Sequence, residues 1–154
     1  MTANTEAGWI WSNWDALSAS ALYDFLRLRS DIFVVEQNCA YADMDGIDPL
    51  CEHLCKRDSG QNLLAYLRLV PPGIKAPQPA IGRLVVAEAA RKLGLGRAAM
   101  LEGIRRCTER YPGQAIFLSG QHHLEAFYAS LGFVTFAGPY LEDGIPHVNM
   151  LRPG

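Results

Sequence analysis

Residues 85–100 read VVAEAARKLGLGRAAM, and the order of events within them decides the fold. A strand-like apolar run stops, Arg91-x-x-Gly94-x-Gly96 follows, and a helical pattern begins. Glycine is a poor helix former, so two of them at the mouth of a helix need a reason. A helix N-terminus leaves its first N–H groups without intrahelical partners and carries partial positive charge. Stripping side chains there lets a phosphate approach those N–H groups closely. Leu93 to Arg97, including Gly94, Leu95 and Gly96, therefore reads as a pyrophosphate cradle, with Arg91, Lys92 and Arg97 adding positive charge. A tight turn flanked by solvated arginines is the plainer reading of the same residues.

Two other phosphate motifs are excluded. A Walker A loop requires Gly-x-x-x-x-Gly-Lys-Ser/Thr, which is absent. Gly94 to Ala99 satisfies Gly-x-Gly-x-x-Ala, but the dinucleotide fingerprint places its first glycine almost directly after the strand. Here Gly94 comes seven residues after Ala87, and Gln114 stands where the ribose-binding acid is expected.

Working outward, Leu63 to Val70 and Ile81 to Ala87 read as strands of a hairpin whose long tip is PPGIKAPQP, 71–79. A first helix places Leu22, Phe25, Leu26 and Phe33 on one face, with Ser18 or Ser20 as N-cap. The second helix starts at Gly94–Gly96, repeats Ala98, Leu101, Ile104, Cys107 and Tyr111, and stops at Pro112-Gly113. A third carries Leu124, Phe127, Tyr128 and Leu131 and closes at Gly132. Ala115 to Gln121 reads as a short central strand, and Val134 to Ala137 with His147 to Leu151 as a last antiparallel pair. Asp143-Gly144 spells a turn between them. The expected class is α/β, a mixed sheet flanked by helices, with residues 1–154 forming one domain.

A net charge of −2 and a pI near 6.1 argue against a nucleic-acid partner. No apolar run approaches the ~18 residues that span a bilayer, and the start of the chain has no basic-then-apolar leader pattern. The expected setting is cytoplasmic, with no membrane partner. Cys51, His53 and Cys55 alternate as on one face of a strand. Structural zinc prefers tighter cysteine pairs and a fourth ligand, so small buried thiols and no metal are expected. Asp43, Asp45 and Asp48 cluster apart from Arg91, Lys92 and Arg97, as an attractor for a cationic amine would, or as solvated loop charge.

Arg91-x-x-Gly94-x-Gly96 after IGRLVVA resembles the acetyl-CoA signature of the GNAT superfamily of N-acetyltransferases, and HLEAFYASLGF (123–133) resembles its second cofactor segment. DIFVVEQNCAYADMDGID (31–48), HL (53–54) and EDGIPHVNM (142–150) resemble its small ElaA-like branch. The resemblance implies a mostly antiparallel sheet with splayed central strands. It implies acetyl-CoA as cosubstrate, bound by the strand edge at Leu84, Val85 and Val86 and by the cradle, and an amine acceptor attacked directly. By position, Tyr128 matches the group expected to protonate the departing thiolate. The general base is open among Glu36, His122, His123, His147, His53 and a chain of waters. Arg29, Phe33 and Glu36 are reminiscent of acyl-homoserine lactone synthases of the same architecture, and a non-catalytic acyl-CoA-binding module is the further alternative. Strand edges in such folds are compatible with a homodimer, for which no residue here is evidence.

Overall fold

The computed structural model describes the backbone of residues 2–4 and residues 8–154. Its strands are β1 (Thr2–Asn4), β2 (Trp9–Asn13), β3 (Glu52–Arg57), β4 (Leu63–Val70), β5 (Ala80–Val86), β6 (Ile116–Gln121), β7 (Val134–Glu142) and β8 (Ile145–Arg152). They form one sheet in the order β1-β2-β3-β4-β5-β6-β8-β7. All neighbours are antiparallel except β5 and β6, which run parallel. The last hairpin turns through Asp143 (φ +51°) and Gly144 (φ +78°), the left-handed pair that matches strand twist. It is longer than the pattern predicts, because exposed positions at both ends keep pairing after the apolar alternation has ended.

The helices α1 (Ala19–Arg29) and α2 (Leu95–Arg110) cover opposite faces. Leu54, Leu67 and Ile81 join the cluster under α2, while their strand neighbours Cys55 and Tyr66 join Phe25 beneath α1, as side chains on a pleated strand must. The short α3 (Glu125–Ala129) follows a single 3₁₀ turn, and Gly132 (φ +97°) ends that segment as expected.

The expected face of α2 is corrected. Ala99, Met100, Gly103, Ile104 and Cys107 are buried, whereas Leu101 is 53% exposed. A Cβ at Gly103 would lie 3.2 Å from Ile81 and Leu67 side-chain atoms, so the helix meets the sheet through its small residues. Counting large apolar side chains misses that seam.

The first helix runs on as a π-helical segment, Ser30–Glu36. Beyond it, the Asp43–Asp48 loop overturns both expectations for its acids. Asp43 and Asp48 are buried, and they meet fully buried Arg29 and Arg68. Arg29 Nε lies 2.8 Å from Asp43, its Nη1 2.8 Å from Asp48, and Arg68 bridges Asp45 and Asp48 at 2.6 and 3.0 Å. These carboxylates are neither solvated nor free to attract an amine. The arginines hold Asp45 and Asp48 below the usual carboxylate range against burial, which pushes the other way.

Candidate active site

β5 and β6 share one register pair, Ala80 with Phe117, and then part. The parting is prepared inside β5. Tyr66 pairs with Val85 but Arg68 with Gly82, so Arg83 and Leu84 together oppose Leu67. This is a β-bulge, with Arg83 at φ +55°. Such a backbone costs an arginine of order 1–2 kcal/mol. Arg83 is held there by Asp43, whose Oδ1 is 2.8 Å from Nε and whose carbonyl accepts from Nη2 at 2.9 Å. The bulge turns the strand over: Ile81 packs under α2, yet Val85, four residues later, packs under α1.

Ala87 donates to the Leu64 carbonyl at 2.8 Å, so by strand alternation the Val86 amide faces away from β4 into the gap. A cavity of about 470 Å³ fills that gap. It passes through the sheet. On the α2 side it is walled by Gly96, Phe127 and Tyr128, and on the α1 side by Ile32, Phe33, Glu36 and Tyr41. Glu142 and His147 close its rim.

The start of α2 is chemically bare. Gly94 occupies the N-cap at φ +75°, makes no side-chain cap, and the first turn holds no acid. The first intrahelical bond is Ala98 N–H to the Gly94 carbonyl at 3.1 Å, so the N–H groups of Leu95, Gly96 and Arg97 have no partner within the helix. Gly94 needs its left-handed backbone. Gly96 does not: a Cβ there would find its nearest protein neighbour, Val86, at 3.9 Å. Nothing in the chain requires Gly96 to lack a side chain, although an alanine would favour the helix by about 1 kcal/mol. An approaching ligand would account for it, and the donor set could hold a diphosphate.

The predicted residues divide by location. Leu84, Val85, Val86, Arg91, Gly96, Glu36 and Tyr128 line the cavity. Lys92, Leu93, Gly94, Leu95 and Arg97 frame the approach to the helix start, and Arg97 donates to Ser130 at 2.9 Å. Glu36 accepts from Arg91 at 2.6 Å, which lowers its pKa. His122 lies outside the cavity and faces Glu125 at 3.6 Å, whereas His123 and His147 line it. His53 is buried with both ring nitrogens engaged, by the Tyr66 hydroxyl at 2.6 Å and the Asp48 carbonyl at 3.0 Å. Cys51 and Cys55, its neighbours in the sequence motif, belong to separate apolar clusters, and burial pushes the Cys51 thiol up to about 11. Arg29, Phe33 and Glu36 do not converge, since Arg29 is locked in the buried ionic cluster.

Tyr128 is 8% exposed, and burial pushes its pKa up to about 12. Its ring rests on Gly120 of β6, where a Cβ would come within 2.7 Å of it. Its hydroxyl makes no hydrogen bond among the described residues and is not one of their fully buried unpartnered polar atoms, so it is open to the cavity that Tyr128 lines. That orphan faces the cavity. Sequence reasoning missed Gly120 as the seat of Tyr128, and Ser119, Gln121 and Cys39 as cavity wall.

An acetyltransferase (GNAT) domain model matches residues 53–152. The chain belongs to the GNAT acetyltransferase family. A UPF0039 protein of Synechocystis sp. is 38% identical over 146 residues, 95% of each chain. The crystal structure of Escherichia coli ElaA aligns with a TM-score of 0.87 at 36% identity, covering 99% of each chain. That of an acyl-CoA N-acyltransferase from Pseudomonas aeruginosa aligns with a TM-score of 0.88 at 41% identity, covering 94% of this chain and 97% of its own. The ElaA-like resemblance and the splayed-sheet expectation are thereby borne out. GNAT members use an acyl-CoA and an acceptor, and this chain has the acyltransferase fold with a cavity lined from both faces of its sheet. Among the described residues no helix is long and apolar enough to cross a membrane.

Proposed function

We propose that this chain is an acetyl-CoA-dependent N-acetyltransferase that passes acetyl directly to a primary amine of a small molecule or peptide. The observation that carries this reading is one cavity joining the uncapped start of α2 on one face of the sheet to the rim beneath α1 on the other. Two substrates entering from opposite faces meet at the parted strands. Proximity then supplies much of the rate without a covalent enzyme intermediate.

In this reading the N–H groups of Leu95, Gly96 and Arg97 hold the diphosphate, with Arg91 and Lys92 beside it. The edge of β5 at Leu84 to Val86 takes the pantetheine as an added strand would be taken. When bound, the coenzyme supplies a thioester, a carbonyl carbon with a good leaving group. The Val86 amide donates to the carbonyl oxygen as negative charge develops there. The amine nitrogen forms the new C–N bond, the C–S bond breaks, and the Tyr128 hydroxyl protonates the departing sulfur, recovering its proton from the amine nitrogen. A pKa near 12 keeps that hydroxyl protonated across the neutral range.

The test is thiol release from acetyl-CoA in the presence of spermidine, lysine, kanamycin or a lysine-containing peptide. At least one amine should accelerate release and appear N-acetylated. CoA binding with no amine-dependent release would contradict the reading and favour a non-catalytic acyl-CoA module.

A further inference from the structure

We propose that His147 and Glu142 together form the ammonium site of the acceptor, and that His147 Nε2 takes the proton the amine must lose. This rests on the acetyltransferase reading above. His147 lies on β8, opposite Gln121 of β6 and Tyr140 of β7, with its ring on the cavity wall. Its Nδ1 is 2.8 Å from the Ile145 carbonyl oxygen. A carbonyl only accepts, so Nδ1 carries the proton, and the neutral ring presents Nε2 as a bare lone pair.

That lone pair faces Glu142 Oε2 at 3.5 Å. Neither atom receives a hydrogen bond among the described residues. Two acceptors thus confront one another at the mouth of the acceptor side with no donor between them. A primary ammonium carries three N–H donors, enough to satisfy both and keep one. A hydroxyl brings a single donor and a carboxylate brings none, so the pair selects for charge as well as for proton supply. Of the other acids lining the cavity, Glu36 already accepts from Arg91 and Asp143 sits in the β7–β8 turn.

The step balances without another reactant. The ammonium N–H bond breaks and the Nε2–H bond forms, leaving a neutral amine with a free lone pair and an imidazolium opposite the Glu142 carboxylate. Glu142 is half exposed, so the imidazolium later returns its proton to water. A protonated ring has no lone pair left for the ammonium and pairs with Glu142 instead, which shuts the site, so the rate falls on acidification. The other charged or titratable groups around the cavity are Tyr140 from β7, Asp143 from the turn, the Glu36–Arg91 pair, Arg83 held by Asp43, Cys39 and Tyr41 from the connecting loop, His123 before α3 and Tyr128 on it.

His147→Asn keeps an amide donor for the Ile145 carbonyl and removes the base. With the amine that gives the fastest wild-type release, kcat/KM should drop about 100-fold at neutral pH. The acidic limb of the pH profile should disappear, and the deficit should narrow as pH approaches ~10, where amines arrive unprotonated. CoA affinity should not change. Glu142→Gln should raise KM for the amine more than it lowers kcat. A His147→Asn enzyme with the wild-type rate and an intact acidic limb overturns this assignment alone. A wild type that releases no thiol with any of the four amines overturns the acetyltransferase reading and this assignment with it. Nitrogen NMR of the wild type tests the site independently of turnover: Nδ1–H in the neutral ring supports it, and Nε2–H overturns it whatever the activity.

Discussion

The two long helices begin in opposite ways. At the start of α1, the Ser18 side chain accepts from the Ala21 N–H at 3.0 Å, so one orphan donor is satisfied within the chain. At the start of α2 a left-handed glycine leaves the donors bare, and Gly96, two residues on, has no packing reason to be a glycine. The same contrast recurs elsewhere. Asp43, Asp45 and Asp48 are matched by arginines in the interior, while Tyr128, His147 and Glu142 bring unmatched polar atoms to the cavity. In the ionic cluster it is charge that is matched, although Arg68 Nε and Arg83 Nε have no hydrogen-bond acceptor, and such paired groups are architecture. Where a polar group is left over beside a cavity, we propose a ligand as the missing partner.

The contrast is most exposed to attack on its satisfied side. Arg29→Met would leave Asp43 buried with Arg83 alone and Asp48 with Arg68 alone, each short of one cation. Removing one member of a buried ion pair costs about 3–5 kcal/mol, which urea denaturation at pH 7 would measure. The sign with pH follows from the carboxylates. Asp45 and Asp48 sit below the unfolded value of ~3.9, so in the wild type they contribute stability that is complete above that pH and is lost as pH falls through their folded values. In Arg29→Met, protonating a buried acid that has lost one of its two arginines gives relief, so the gap to wild type should shrink below about pH 4. A gap that widens there would mean that Asp43 and Asp48 do not depend on Arg29.

From the unsatisfied side, Tyr128→Phe removes a hydroxyl without a partner. It should leave folding and CoA affinity unchanged and lower kcat about 100-fold in an amine-dependent thiol-release assay. An unchanged kcat would return Tyr128 to the core. The smallest effect belongs to Ser18→Ala, a lost N-cap worth about 1 kcal/mol in thermal or urea unfolding, with CoA binding untouched. If that change weakened CoA binding, the two helix starts would be coupled rather than independent.

Much of this was legible in the residues because local patterns report local needs. Arg91-x-x-Gly94-x-Gly96 between a strand and a helix marked the glycine start of α2, Ser18 or Ser20 a cap that the structure gives to Ser18, and Asp143-Gly144 a turn. Other features depend on pairings distant in sequence. The Asp43–Asp48 acids looked like a solvated loop because their arginines come from α1, β4 and β5. The bulge at Arg83 breaks strand alternation at a residue whose type does not announce it. The α2 seam runs through Ala99 and Gly103, which hydrophobic counting undervalues. His122 and His123 are adjacent and indistinguishable by composition; only the turn into α3 decides which one reaches the cavity.

If the bare amides opening α2 bind a diphosphate ester, calorimetric titration of CoA into the wild type and into Gly96→Glu will separate the two proteins. A Cβ at position 96 would make only an ordinary 3.9 Å contact with Val86, so the variant should fold, yet its carboxylate and bulk would sit among the donors. The wild type should give a saturable isotherm and the variant at least about 100-fold weaker binding, about 2.7 kcal/mol. No heat with the wild type, or equal affinity in both, would contradict the diphosphate assignment.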